Sequence, residues 1–409
     1  MRDFSKSLNH YIVNINSMRK SLPLIMHVGE KYLDHHNQKL KEFIESDHIQ
    51  VVEEDEDMQK VSISMDKASE FKKLTNEIQS LRTAFEFYPK SVFVSLVGMY
   101  DALVGNLIET ILTSKTQMLK SLDKQIPIHD LLNAASIEEI KNDIIAKEIE
   151  SVLRENHLKQ LEWFEKKLKL NLHSDQDLID KFVELTQRRH LFVHADGKVS
   201  DQYLKSCRNT VVNTSEKPCL GKKLNISNEY FFESVDVLLE MGIKLTHIIW
   251  RKIESDEIEK ADEQYNEITY ELIYSENYQL AIRLLEFILE SRSVSDEYRL
   301  IHLINLAQCY KWSGNEAECQ KLIQNQGNWK IYKERFQMAK HLLLDEYESV
   351  YQLLRDYHDD HDVVTKAYIR EWPLYQNIRS NEEFIRLFEE LYGEPLIVAQ
   401  NVEDIVIDL

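Results

Sequence analysis

Apolar positions recur every three or four residues along most of this chain, separated by short polar stretches, and that period predicts an all-α protein. Residues 5–45 and 66–88 read as helices. Pro89 then opens the most apolar segment, Ser91 through Ile108, with Phe93, Leu96, Val97, Tyr100, Val104, Leu107 and Ile111 at helical spacing. Asp101 interrupts this segment at its centre, and its apolar length is marginal for a bilayer, so it reads as a buried core helix rather than a membrane span. Further helices are predicted over 137–156, 157–171 and 175–195. The last has a capping-box-like start at Ser174 and Asp177, and one buried face made by Ile179, Phe182, Val183, Thr186, His190 and Val193. Residues 205–226 read as an irregular connection. A strong helix from Tyr230 to Ile253 closes this bundle, and the polar run Glu254-Ser255-Asp256-Glu257 marks a boundary.

Beyond that boundary the chain is weakly self-similar. Ser275-Glu276-Asn277-Tyr278 lines up with Ser313-Gly314-Asn315-Glu316 and with Leu344-Asp345-Glu346-Tyr347, and each piece joins two amphipathic helices. The spacing resembles that of tetratricopeptide repeats, whose period is near 34 residues, although their tryptophan and proline marks are mostly missing. Trp372-Pro373-Leu374 with Phe384 and Phe388 reads as the end of the array. The expected organisation is an N-terminal helical extension with an acidic loop (1–65), a helical bundle (66–253) and an α-α repeat region (258–409). The repeat region offers either a face for a peptide or protein partner or a prop for a dimer.

Composition narrows the picture. Only 9 Gly and 6 Pro in 409 residues fit long helices with few tight turns. The start, Met1 to Lys6, lacks the apolar core of a signal peptide, which predicts a cytoplasmic protein. Cys207, Cys219, Cys309 and Cys319 form no CxxC pair and are expected to be free thiols. His35-His36 is isolated and expected at the surface. The net charge of −20 opposes general nucleic-acid binding. It is unevenly placed, however: residues 1–250 hold 33 Lys and Arg against 38 Asp and Glu, leaving 17 against 32 for residues 251–409. The run Glu53-Glu54-Asp55-Glu56-Asp57 reads as a solvated loop, or as a decoy shielding a nucleic-acid site.

The candidate chemistry lies at 187–197, where Gln187-Arg188-Arg189-His190-Leu191-Phe192-Val193-His194 brings cations and imidazoles to a helix end and Gly197 supplies the left-handed stop. On an ideal helix His190 and His194 lie about 40° apart, and Arg189 about 140° from His194. Imidazoles titrate near neutrality and guanidinium stays charged, so this set could move a proton and steady charge on a phosphate. RNA carries its own nucleophile, the 2′-hydroxyl, and needs positioning and proton transfer rather than a metal. Asp101, the only charge between Lys90 and Glu109, is expected either to pair with Arg188 or Arg189 or to face solvent.

The segment Arg189-His190-Leu191-Phe192-Val193-His194 resembles the signature of the HEPN superfamily, an arginine and a histidine separated by four to six residues of which the first is usually polar. Ala195-Asp196-Gly197-Lys198-Val199 and Tyr203 also resemble the segment after that motif in HEPN proteins of bacterial defence systems. The resemblance covers roughly residues 70–250. It implies a metal-independent endoribonuclease with an all-helical core, working as a homodimer on RNA without a cofactor. It would make Arg189 and His194 the catalytic pair, with His190 beside them and Arg188 and Asp101 in support. Asp196 stands where some members carry a modified tyrosine, which leaves that regulation without a target here.

No GxxxxGK[ST], GxGxxG after a strand, HExxH or GxSxG occurs. Two classes remain open. One is a toxic RNA-cleaving effector of a defence or toxin–antitoxin system; the other is a non-catalytic dimeric adaptor whose C-terminal repeats bind a protein partner or inhibitor.

Overall fold

The computed structural model describes residues 3–45, 49–55, 58–120, 122, 125–207, 218–291 and 294–396, and these are overwhelmingly helical. The first unit, up to Ile253, contains α1 (Phe4–Ile44), α2 (Ala68–Ser114), α3 (Thr116–Leu119), α4 (Ile128–Asn133), α5 (Ile137–Leu153), α6 (His157–Leu168), α7 (Gln176–His194), α8 (Asp201–Ser206) and α9 (Asn228–Ile253). The chain between α1 and α2 is not the expected loop. Its described part forms an antiparallel hairpin of β1 (Ile49–Asp55) and β2 (Met58–Ile63), so Glu53, Glu54 and Asp55 are strand residues, while 56 and 57 lie outside the described residues.

Pro89 lies inside α2 instead of starting a helix. A mid-helix proline loses one backbone hydrogen bond and crowds the preceding turn, at about 3 kcal/mol. Burial offsets this cost: Phe93, Leu96, Val97, Tyr100, Leu103, Val104, Leu107, Ile108, Ile111 and Leu112 are all buried. A helix that is apolar on every side belongs in a core, and α2 packs against α1, α5, α7 and α9. By length and composition alone α2 could cross a membrane, yet half of its most apolar stretch is buried within the protein.

Helix α1 is no detached extension, because its N-terminal half lies against α2 and α9. Tyr11 donates its hydroxyl proton to the carbonyl of Leu238 at 2.6 Å. At Gly242 of α9 a β-carbon would fall 2.4 Å from the Tyr11 ring, so only glycine lets the helices approach this closely. His36, expected at the surface, is buried, with Nδ1 2.9 Å from the Tyr32 carbonyl and Nε2 3.4 Å from Glu77.

The second unit, from Glu254, is a row of helical hairpins: α10 (Ile258–Tyr274) with α11 (Tyr278–Glu290), α12 (Asp296–Trp312) with α13 (Glu316–Asn325), and α14 (Glu334–Leu343) with α15 (Tyr347–Tyr357). The aligned segments form the three turns, and their middle residues Glu276, Gly314 and Asp345 all take left-handed φ values of 61°, 85° and 57°. In each turn the next amide closes the helix end: Asn277 to Leu272, Asn315 to Tyr310 and Glu346 to His341, at 2.8, 2.8 and 2.9 Å. The buried ammonium of Lys311 ties the second hairpin to the third. It donates to the carbonyls of Leu342 and Leu343 at the end of α14 and to Asp345 at 2.6 Å, where the helix dipole favours a cation. Beyond the hairpins come α16 (Lys366–Glu371) and α17 (Glu382–Tyr392), and α17 buries Phe384 and Phe388 against the end of the array.

Candidate active site

The helix that carries the candidate motif, α7, starts one residue later than expected. Asp175 is its N-cap, its carboxylate accepting from the Leu178 amide at 3.2 Å. The buried stripe then changes sides. Leu178, Ile179, Phe182 and Thr186 face inward, with the Phe182 ring 4.8 Å from Tyr100 of α2. Around Glu184 the helix is buried on both sides, with Leu185 and Thr186 still inward, and beyond Thr186 the buried positions are Arg188 and Leu191, which share with Glu184 roughly the opposite side of an ideal helix. The reason is the neighbours: here α7 is flanked by α8 and α9. His190 and Val193, expected on the buried face, are exposed at the overhanging end, Val193 by 46%.

Glu184 and Arg188 form the polar centre of that switch. Nε of Arg188 donates to Glu184 at 2.8 Å, and the Tyr203 and Tyr230 hydroxyls donate to the two oxygens of the same carboxylate, the latter at 2.6 Å. The guanidinium also stacks on the Tyr230 ring, 3.7 Å from its centroid. Burial opposes its charge. The neighbouring Tyr230, Glu184 and Tyr203 outweigh that and hold its pKa above the ordinary arginine value, whereas burial and Glu184 raise those of Tyr203 and Tyr230. Arg188 is only 2% exposed, so it anchors α7 to α8 and α9 and cannot contact a phosphate in solvent.

Asp101 pairs with neither arginine. Its carboxylate lies 3.0 Å from Nε2 of His157, the first residue of α6, in a pocket walled by Tyr100 and Phe182. The separation of 56 residues gave no signal for this partner, whereas Glu184 and Arg188, four apart on one helix, could have been paired by spacing.

The residues left free for chemistry are Arg189, His190 and His194. The imidazoles of His190 and His194 are exposed neighbours with ring centroids 4.5 Å apart. His190 has its pKa lowered by partial burial, by His194 and by the charge of Arg189. Arg189 makes no ion pair among the described residues, and its Nε is buried without a hydrogen-bond partner.

The chain then folds back under the motif. Asp196 and Gly197 take φ values of 50° and 78°, the Gly197 amide closes on the Leu191 carbonyl, and a β-carbon at Gly197 would lie 3.0 Å from the Phe192 ring. Residues 197–199 pair with 221–224 through Leu224 to Gly197 and Val199 to Lys222, both at 2.9 Å. This places Lys223 2.6 Å from Asp196, whose pKa is lowered first by that bond and further by Lys90 and Lys198. Lys90 sits over the Phe192 ring, and its own pKa is lowered by burial and by Lys223. Three lysines thus gather around one carboxylate at the end of α7, in an otherwise acidic protein. Among the described residues no three His, Cys, Asp or Glu side chains form a metal-binding group.

No family model, no curated protein and no solved structure matches this chain.

Proposed function

We propose that the first unit is a metal-independent endoribonuclease of HEPN type, acting at Arg189, His190 and His194. The observation that carries this reading is the pair of exposed imidazoles 4.5 Å apart, beside an arginine with no ion-pair partner among the described residues. One imidazole takes the proton of the 2′-hydroxyl, whose oxygen bonds to the adjacent phosphorus. The bond to the 5′-oxygen breaks, and that oxygen receives a proton from a second imidazole. His190, biased towards its neutral form, suits the base. Arg189 stabilises the charge on the phosphoryl oxygens, and the lysines near Asp196 provide for neighbouring phosphates.

In-line displacement leaves the entering and departing oxygens on opposite sides of phosphorus. Two neighbouring rings at one helix end approach the phosphate from one side, so the reading includes a homodimer in which a second copy supplies the other side. It further makes the protein a cytoplasmic toxic effector, with the second unit a tetratricopeptide-like region that senses or restrains it. The net charge of −20 favours the second reading, a non-catalytic adaptor.

An RNA oligonucleotide carrying a single 2′-deoxy substitution tests the chemistry. The expected products end in a 2′,3′-cyclic phosphate and a 5′-hydroxyl, with no cut at the substituted position. Cleavage there, or products with a 5′-phosphate, would contradict 2′-hydroxyl attack.

A further inference from the structure

The second unit contains a cleft of about 500 Å³ that the ribonuclease reading does not use. Its floor is formed by the first helices of the three hairpins, α10, α12 and α14, and its opposite wall by residues 361–375. That volume lies in the range of sites that enclose a side chain or a small ligand. The wall is aromatic. The Trp372 ring has its centroid 6.0 Å from that of Tyr368 and 6.1 Å from that of Tyr375, and Tyr270 faces the same space from α10. Tyr368 is 54% exposed, a large ring presented to solvent at the edge of a cavity.

The charges of the lining are lopsided in their engagement. Arg335 is held by Glu297 and lies 4.7 Å above the Phe336 ring. Arg379, close enough to act on Tyr270 and Glu371, gives its guanidinium to the backbone carbonyls of Ile369 and Trp372. The carboxylates of Glu371 and Asp362 are exposed and form no ion pair among the described residues. His361 beside Asp362 is exposed as well. The site therefore offers negative charge and π-faces, a combination that attracts a cation.

Two further observations fix what carries that cation. On the floor, the Asn305 side chain donates to that of Asn266 at 3.0 Å, which leaves this amide pair with a donor on Asn266 and an acceptor on Asn305. A peptide group presents the complementary acceptor and donor. The whole unit is acidic too, with 15 Lys and Arg against 32 Asp and Glu over residues 254–409, a net charge of −17. Such a field attracts a basic segment and repels nucleic acid.

We propose that this cleft binds a basic, extended peptide segment of a partner protein. An arginine or lysine side chain is seated against Tyr368 and Trp372 with its charge towards Glu371 and Asp362, and the peptide backbone lies along Asn266 and Asn305. The proposal is independent of the reading of α7.

The test is fluorescence polarisation on the full chain with a labelled acetyl-(Gly-Arg)4 amide, compared with the same peptide carrying citrulline, which keeps the shape and removes the charge. The expected result is one-to-one binding of the arginine peptide, with the citrulline peptide weaker by about tenfold or more. Glu371→Gln and Tyr368→Ala should each weaken the arginine peptide by a similar factor, while Glu382→Gln, on the exposed face of α17, leaves it unchanged. Equal affinity for both peptides overturns the proposal. So does equal weakening by Glu382→Gln, which would mean diffuse attraction to an acidic surface, and so does an RNA oligonucleotide that competes for the site. No binding of the arginine peptide overturns it as well.

Discussion

Replacing Glu184 with glutamine keeps the shape of the buried junction under the motif and removes the one negative charge facing Arg188. The two side chains are 4% and 2% exposed and 2.8 Å apart, so the arginine cannot turn to water when its partner is neutralised. Breaking a buried pair in this way costs about 3–5 kcal/mol. A glutamine also has one acceptor oxygen where the carboxylate has two, so one of the Tyr203 and Tyr230 hydroxyls loses its partner, for about another 1 kcal/mol. That is a large share of the roughly 5–15 kcal/mol that holds a domain folded. The assay is hydrogen exchange by mass spectrometry on peptides covering α7 and the start of α9. At about 1.4 kcal/mol per decade, their exchange should accelerate by roughly three to four decades. The double variant Glu184→Leu with Arg188→Met removes both charges and should recover part of the protection, since a packed apolar pair of similar volume can equal a buried ion pair, while the Tyr203 and Tyr230 hydroxyls both stay without their acceptor. Exchange in Glu184→Gln within about fivefold of the parent, or a double variant no better than the single one, would refute the account of this junction.

His190, with its pKa lowered in the folded chain, binds its proton less tightly there than when unfolded; its contribution to stability is therefore present above the unfolded value near 6.5 and is lost as pH falls below that value and through the folded one. An NMR titration should place it below that value and show a rise in His194→Ala, and a value at or above 6.5 in the parent would contradict the pairing. Lys311→Met leaves Asp345 and two helix-end carbonyls without their cation and should destabilise the second unit by about 2–4 kcal/mol in urea denaturation, while a change under about 0.5 kcal/mol would count against that tie. Gly242→Ala forces a β-carbon into the Tyr11 ring and should cost about 1–3 kcal/mol, and an unchanged melting temperature would show that α1 does not pack as described.

Helical period marks the long helices but not the short α3, α4 and α8, and the turn alignment at Glu276, Gly314 and Asp345 is legible because each turn needs the same left-handed residue in the same place. Pro89 misled, since its local cost is visible in the sequence while the burial that outweighs it depends on four other helices. The face of α7 is hidden for a related reason: the neighbours change partway along, so that beyond Thr186 the inward positions are Arg188 and Leu191, while His190 and Val193, which continue the first stripe, are exposed. The imidazole pair was legible from i, i+4 spacing. The lysines around Asp196 were not, because Lys90 and Lys223 come from distant parts of the chain. The expectation for Asp101, an arginine partner or open solvent, misses its pairing with His157, to which nothing in the sequence points.

The central claim, that Arg189 and the two histidines cleave RNA, is tested most directly by incubating the purified full chain with total RNA in excess EDTA, beside His194→Ala. His194 is exposed, and the ring of His190 is its aromatic neighbour, so the substitution should leave the helical circular dichroism spectrum and the melting temperature unchanged. Loss of a general acid or base lowers a rate by about 10²–10⁴-fold. The account predicts cleavage by the parent protein in chelator and none detectable with the variant; equal degradation by both, or cleavage that appears only on adding a divalent metal, would contradict it.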